Sequence, residues 1–411
     1  MKYRWLIYVV PLLILVIALA GGFTLLWRFF VFIVVLLLLS YFWARLSTGG
    51  FEGRVEKTTG HSQVGKYFEE EFTVSRHGRM PVPLAEVYED TDLPGYRNVI
   101  SFNFVLTGSY HWRARAYCRR RGRYRIGSLM VRVTDPLGLF SVYENIGNSR
   151  EIVVYPSTLE LPFFQVLPLQ EPGQNPRRWL AGELSPNASR VREYTSGDSL
   201  RHIHWQTTAH TGQLVVKEFD PDRPSYAYKN IWLVLDMHRA SRRGEGDETT
   251  EEYGITIAAS LAKKYIDSGK NVGLISSGEQ PFLILPDTGD EHLQSVLRSL
   301  AIMEATGKIP VDELLAYQVE RFDAGSAVIV IMPSGDRPVA ATLRKVINRG
   351  VTANAILLDS PSFGGGISAA SAARHLAAGG FRVYIVRRGQ DIAGALDTRV
   401  FSPGQGLVGV R

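Results

Sequence analysis

Residues 192–218 read REYTSGDSLRHIHWQTTAHTGQLVVKE. The stretch holds a turn at Ser196, Gly197 and Asp198, charges of both signs, Trp205, and three imidazoles at His202, His204 and His210. A second turn at Thr211 and Gly212 leads into Gln213–Glu218, whose alternation predicts a strand. The texture of the chain differs on its two sides. Upstream lie short alternating runs separated by Gly and Pro. Downstream, apolar strand-like runs alternate with helical periods. The stretch therefore divides two soluble domains of different class, and 188–228 is read as a segment of its own.

The same residues resemble a known family, the bacterial proteins that carry domain of unknown function 58. The resemblance rests on Arg192, Glu193, Tyr194, Gly197, Asp198, Arg201, Ile203, Trp205, Ala209, Gly212, Leu214, Val216, Lys217 and Glu218. Upstream, residues 121–127 (RGRYRIG) and 135–140 (DPLGLF) are also similar to that family's sheet domain. Members are typically encoded beside a MoxR-type AAA+ ATPase, and often beside a transglutaminase-like membrane protein. The resemblance thus implies partnership in a chaperone-like complex at a membrane, with no cofactor.

The N-terminus supplies the membrane part. Trp5–Ala20 and Phe29–Trp43 are almost wholly apolar, with a break around Gly21 and Gly22. A span needs about 20 apolar residues, with ~17 as the lower limit. Residues 1–46 are therefore read as two transmembrane helices, about 5–22 and 24–44. Lys2 and Arg4 precede the first, and Arg45, Arg54 and Lys57 follow the second. Positive flanks stay inside, so both ends and the soluble domains are expected in the cytoplasm at the inner or plasma membrane. A cleaved signal peptide ending at Ala18-Leu19-Ala20 is the rival reading.

Residues 51–158 carry runs at Phe68–Arg76, Leu84–Asp90, Val99–Leu106, Tyr110–Cys118, Gly127–Val133 and Ile152–Tyr155. Short strands at this spacing predict an all-β, Ig-like sandwich. The run RRRGRYR at Arg119–Arg125 is its basic feature. A solvated strand face is the plain reading. Attraction to anionic lipid, worth roughly 1 kcal/mol per basic residue, would orient the domain on the bilayer. Nucleic-acid binding is a further alternative, but 46 basic against 40 acidic residues, a net charge of +6, is too mild an excess to favour it. Cys118 is the single cysteine, which excludes an internal disulfide and a multi-cysteine zinc fold.

Residues 159–187 contain Pro162, Pro168, Pro172, Pro176 and Pro186 and read as a linker. From 229 to 390 strands and helices alternate, predicting a mainly parallel, Rossmann-type sheet with helices on both faces. Residues 391–411 read as a tail. The first strand of this domain ends at Asp236 and suggests a von Willebrand A-like fold. That family holds a divalent ion with D-x-S-x-S. Here His238 and Ala240 replace the two serines, so the ion site is degenerate and no metal is expected. Asp236, Ser334 and Asp336 mark a strand-end rim where a partner could dock.

Three chemistries compete at the signature. His202, His204 and His210 with Asp198 could hold a metal and serve a metal-dependent hydrolase. Two histidines two apart on a strand would face one side. Ser196, Ser199, Thr207 or Thr208 could be nucleophiles, but no G-x-S-x-G surrounds them. The favoured reading is structural and interactive: an ion-pair network of Glu193, Asp198, Arg201, Lys217 and Glu218, with Trp205 buried. The expected function is a non-enzymatic membrane-anchored scaffold or adaptor.

Overall fold

The apolar N-terminal runs form a helical hairpin, α1 (Leu6–Gly21) against α2 (Thr24–Leu46). The structure is a computed structural model that describes residues 5–22, 24–57, 62–78, 80–104, 107–166, 190–195, 203–218, 228–278, 281–335, 339–398 and 407–408. It separates into two units, Met1–Ser157 and Thr158–Arg411. Both expected helices form, but they differ in reach. Among the described helices α2 is the one long and apolar enough to cross a membrane. α1 has 16 residues with Pro11 inside, just short of the ~17-residue limit.

The rest of the first unit is an antiparallel β domain. Its strands are β1 (Phe51–Lys57), β2 (Ser62–Gln63), β3 (Tyr67–His77), β4 (Val82–Asp90), β5 (Val99–Phe104), β6 (Thr107–Tyr117), β7 (Gly122–Ile126), β8 (Ser128–Thr134), β9 (Ser141–Asn145) and β10 (Arg150–Tyr155). They form sheets in the orders β1-β3-β6, β5-β4-β8-β9 and β2-β10-β7. Among its described strands, only β2 and β10 pair in parallel. Alternation decides the inside face: Phe68, Phe72 and Val74 of β3 are buried while Tyr67 is exposed. Phe72 and Val74 meet Val82, Ala85 and Val87 of β4 and Val131 and Val133 of β8 in one core. Each such side chain contributes about 1.5–3 kcal/mol through burial.

The single strand expected around Gly127–Val133 is the second of two. Gly127 has φ +84°, and a Cβ there would stand 3.3 Å from the Asn148 carbonyl, so β7 ends and β8 begins around it. Strands β1 and β9 were not expected.

The register also relocates the basic run. Phe51, just after α2, pairs with Arg76 at one end of β3, while Tyr67 pairs with Tyr117 at the other. Arg119 follows Tyr117. The run thus begins ten strand residues, about 33 Å, from the α2 end of the sheet. That exceeds the ~8 Å screening length several-fold. Arg119–Arg125 therefore starts at the end of the sheet remote from α2.

The second unit begins earlier than read. Leu161, Phe164 and Val166 are buried, the Leu159 amide donates to Ser260 Oγ at 2.9 Å, and the Phe164 ring lies 5.1 Å from that of Tyr384. Residues 159–166 are therefore packed chain, not linker, because the apolar side chains of Leu161, Phe164 and Val166 find a surface. The remainder of the expected linker lies outside the described residues.

After the signature elements β11 (Arg190–Glu193), α3 (Trp205–Thr211) and β12 (Val215–Glu218) come β13 (Asn230–Leu235), a two-residue ribbon β14 (Gly244–Glu245) and β15 (Glu248–Thr249), α4 (Thr250–Asp267), β16 (Asn271–Ser277), β17 (Pro281–Asp287), α5 (Asp290–Ile302), α6 (Val311–Gln318), β18 (Ala327–Pro333), α7 (Val339–Ile347), β19 (Thr352–Leu358), α8 (Ala369–Ala378), β20 (Arg382–Val386), α9 (Ile392–Ala395) and β21 (Leu407–Val408). The large sheet runs β17-β16-β13-β18-β19-β20-β21, with β17 antiparallel and the others parallel. Trp232, Val234, Val330, Ala355 and Leu357 pack under α6, α7 and α8. On the other face α4 lies so close that a Cβ on Gly254 would stand 3.1 Å from Leu235 Cδ1. The Thr249 hydroxyl caps α4 by accepting from the Glu252 amide at 3.1 Å. Helix α6 was not expected. Neither was β21, which extends the sheet with residues read as a tail.

Candidate functional site

The chain order of the central strands reverses at β13. The next strands of the same sheet, β16 and β17, lie on one side of it, and β18 to β20 lie on the other. At such a reversal the connections leave on opposite faces and a crevice opens beyond the carboxyl ends of the strands. Here the crevice is a cleft of about 680 Å³. Its apolar floor comes from Val311, Met332, Val339, Leu357 and Leu376, and its polar wall from Asp236, His238, Ser241, Arg243, Ser371 and His375.

Each polar group is held by the local fold. Asp236 is 8% exposed; its amide donates to Ile331 O and its Oδ1 accepts from the His238 amide at 2.9 Å. The carboxylate thereby closes the turn after β13. Ser334 Oγ donates to Ile367 O and accepts from the Ser360 amide at 2.9 Å, while Ser360 Oγ donates to Ser334 O at 2.8 Å. That hydroxyl clamps the loops after β18 and β19 together. Arg243 Nη1 donates to Ala240 O and Arg242 O, each at 2.7 Å, so the half-buried guanidinium is pinned at the mouth. Among the described residues no group of three or more His, Cys, Asp and Glu is placed to hold a metal. His238 Nδ1 and Ser241 Oγ stand 3.5 Å apart. The arrangement suits binding: an apolar floor with pinned polar groups at its rim.

Of the expected rim, the structure brings Asp236 and Ser334 together around the cleft, beside His238 and Ala240 of the degenerate ion site. Asp336 lies outside the described residues. Sequence reasoning missed Gly307. Its amide donates to Met237 O and its carbonyl accepts from Arg239 N, each at 2.9 Å. A Cβ there would stand 2.0 Å from Ser277 O and 2.8 Å from Met237 O. Gly307 thus lets one backbone lie against the loop that carries His238. A lone Gly between two helices carries no sequence signal for that role.

The signature forms a separate small motif. β11 and β12 pair antiparallel, the Tyr194 amide donates to Leu214 O at 2.9 Å, and α3 lies between the strands in sequence. His204 does not stand on a strand. Ile203 makes one bridge to Val216, and His204 is the N-cap of α3, its Nδ1 accepting from the Thr207 amide at 3.1 Å. Thr207 and Thr208 are likewise engaged: Thr207 Oγ1 lies 2.7 Å from His204 Nδ1, and Thr208 Oγ1 accepts from Val215 N at 3.1 Å. His210 is exposed in the last turn of α3. Trp205 is 66% exposed, which corrects the expectation that it is buried: it opens a seven-residue helix with no buried residue. Glu193 is exposed. Ser196, Gly197, Asp198, Ser199, Arg201 and His202 lie outside the described residues, as do the side chains of Arg192, Lys217 and Glu218.

Residues 190–331, which hold both this motif and the first half of the large sheet, match the family described as "Protein of unknown function DUF58". Over these residues the chain is similar to that family. A relative, "Uncharacterized protein YeaD" of Bacillus subtilis (strain 168), is 28% identical over 191 residues. That alignment covers 46% of this chain and 45% of the relative, less than half the relative's length. Among solved structures, a von Willebrand factor type A structure from Catenulispora acidiphila is 12% identical, covers 42% of this chain and 41% of its own, and has a TM-score of 0.29. The CARDB domain of the PF1109 protein from Pyrococcus furiosus is 17% identical, covers 25% of this chain and 86% of its own, and has a TM-score of 0.20.

Proposed function

We propose that this protein is a membrane-anchored cytoplasmic scaffold or adaptor whose α/β domain offers the switch-point cleft to a protein partner. The observation that carries the reading is the cleft itself, an apolar floor with a pinned Arg243 at the carboxyl ends of the central strands. Anchoring is supported by how α2 joins the β domain. Ala44 and Ser47 are fully buried and Ser40 nearly so, and the buried Arg76 guanidinium donates to Ser47 O at 3.2 Å. A helix built into the core in this way is a lasting part of the fold, which favours α2 as an anchor whether or not a leader ending at Ala20 is removed. Basic flanks on both sides of the hairpin favour two spans with both ends inside. The finer domain readings, an Ig-like sandwich followed by a von Willebrand A-like domain, belong to this proposal too.

The DUF58 resemblance points to a MoxR-type AAA+ ATPase as the partner, with a transglutaminase-like membrane protein as a second. The test is capture of the detergent-solubilised full-length protein from its host, beside an Arg243→Glu, His375→Glu variant shown to melt like the parent. Both substituted residues line the cleft mouth, and His375 is exposed. An AAA+ ATPase retained by the parent and lost by the variant supports the reading. Equal retention moves the contact off the cleft, and no ATPase with either protein rejects the partnership.

A further inference from the structure

The DPLGLF motif at 135–140 has no part in the cleft, yet the fold places it against α2. Asp135 is buried, accepts a hydrogen bond from Ser40 Oγ of α2, and closes its own loop by accepting from the Leu137 amide at 3.0 Å and the Phe140 amide at 2.6 Å. The Phe140 ring meets the Tyr41 ring edge-on at 5.7 Å. The loop is thus fastened to α2 at residues 40–41.

The height of that attachment follows from the helix. Arg28 and Arg45 are the charged residues of α2, seventeen residues apart, or about 26 Å along the axis. This is close to the ~30 Å thickness of a bilayer core, so the two arginines mark its two faces. Ser40 then lies five residues, about 7.5 Å, inside the Arg45 face. One stripe of α2 at this level, Ser40 and Ala44, is buried by the β domain. Leu38, Leu39, Tyr41 and Phe42 remain exposed. The loop tip at the same level is apolar and exposed: Pro136 and Gly138 are open and Leu137 is 52% exposed. Tyr143, on the neighbouring strand β9 that packs beside α2, is also exposed, as suits a ring at a headgroup layer.

We propose that the Asp135–Phe140 loop is a second membrane contact, its Pro136–Leu137 tip entering the apolar edge of the bilayer beside α2. The inference rests on the reading of α2 as a membrane span. It commits the β domain to sit directly on lipid, held at two points instead of hanging from a helix. The end of the sheet that bears Arg119 is then the one turned away from the bilayer.

The test uses full-length protein in phosphatidylcholine–phosphatidylglycerol vesicles with brominated acyl chains. Single cysteines carry an environment-sensitive dye at Leu38→Cys, Leu137→Cys and Tyr67→Cys, the last at the far end of β3. Each is made both in a Cys118→Ala background and with the buried Cys118 kept, so that a folding defect in one background leaves the other. The expected result is strong loss of emission at positions 38 and 137, with the loss at 137 at least half that at 38, and none at 67. Quenching at 38 without quenching at 137 overturns the loop contact while the span stands. No quenching at 38 overturns the span and, with it, the loop contact.

Discussion

Gly307→Ala is the sharpest probe of how the cleft is built. The new Cβ would stand 2.0 Å from Ser277 O and 2.8 Å from Met237 O, so one backbone must retreat by about 1 Å to reach even a tight 3.0 Å contact. The retreat disrupts two hydrogen bonds, Gly307 N to Met237 O and Arg239 N to Gly307 O, both 2.9 Å. At about 1 kcal/mol each, with a further 1 kcal/mol or so of backbone strain, the loss is about 3 kcal/mol. For a unit of this size that lowers the melting temperature by about 6–12 °C. Differential scanning calorimetry of the full chain reads it in the transition of the α/β unit. Gly335→Ala is the control: it lines the cleft, yet no described atom lies within 4 Å of its Cβ, and its change should stay within about 0.5 kcal/mol. A Gly307→Ala protein that melts within about 1 °C of the parent would refute the close-approach argument.

Two further outcomes concern the β domain. Glu70 is 1% exposed and pairs with Arg150, so Arg150→Met takes the ion-pair partner from a buried carboxylate and should cost about 3–5 kcal/mol. The Glu70→Leu, Arg150→Met double variant should recover most of that loss in the same melt, and failure to recover would show that the pair is not the source. Burial raises the Glu144 carboxyl above its ordinary 4.5, so the folded state holds its proton at a pH where the unfolded chain has released it. Stability is therefore lost as pH rises from 4.5 through the raised value. Glu144→Gln should raise the melting temperature at pH 7 and leave it unchanged well below 4.5; an equal effect at both pH values would contradict the burial cause.

Much of the α/β unit was legible along the chain. β13, β18, β19 and β20 are apolar runs long enough for a buried strand, and α8 and β20 lie where periodicity and the flanking glycines predict. The cleft position followed from the same reading, because Asp236 and Ser334 end adjacent strands. The basic run showed the limit. Its composition was plain, but its distance from the membrane end depended on the pairing of Tyr67 with Tyr117. Trp205 looked like a core residue by type and is exposed by position.

What the sequence determined by itself was therefore local: where strands and helices run, that an apolar hairpin precedes two domains of different class, and which family the signature resembles. Period, turn chemistry and residue type act over a few residues and can be read there. The tertiary structure alone decided that residues 159–166 pack onto α4 and β20, that β21 joins the sheet, that Gly307 lies against the His238 loop, and that Asp135 meets Ser40. Each of these joins positions tens of residues or more apart. Such contacts are selected by which surfaces remain to be buried once the local elements have formed, and no pattern within either segment records its partner.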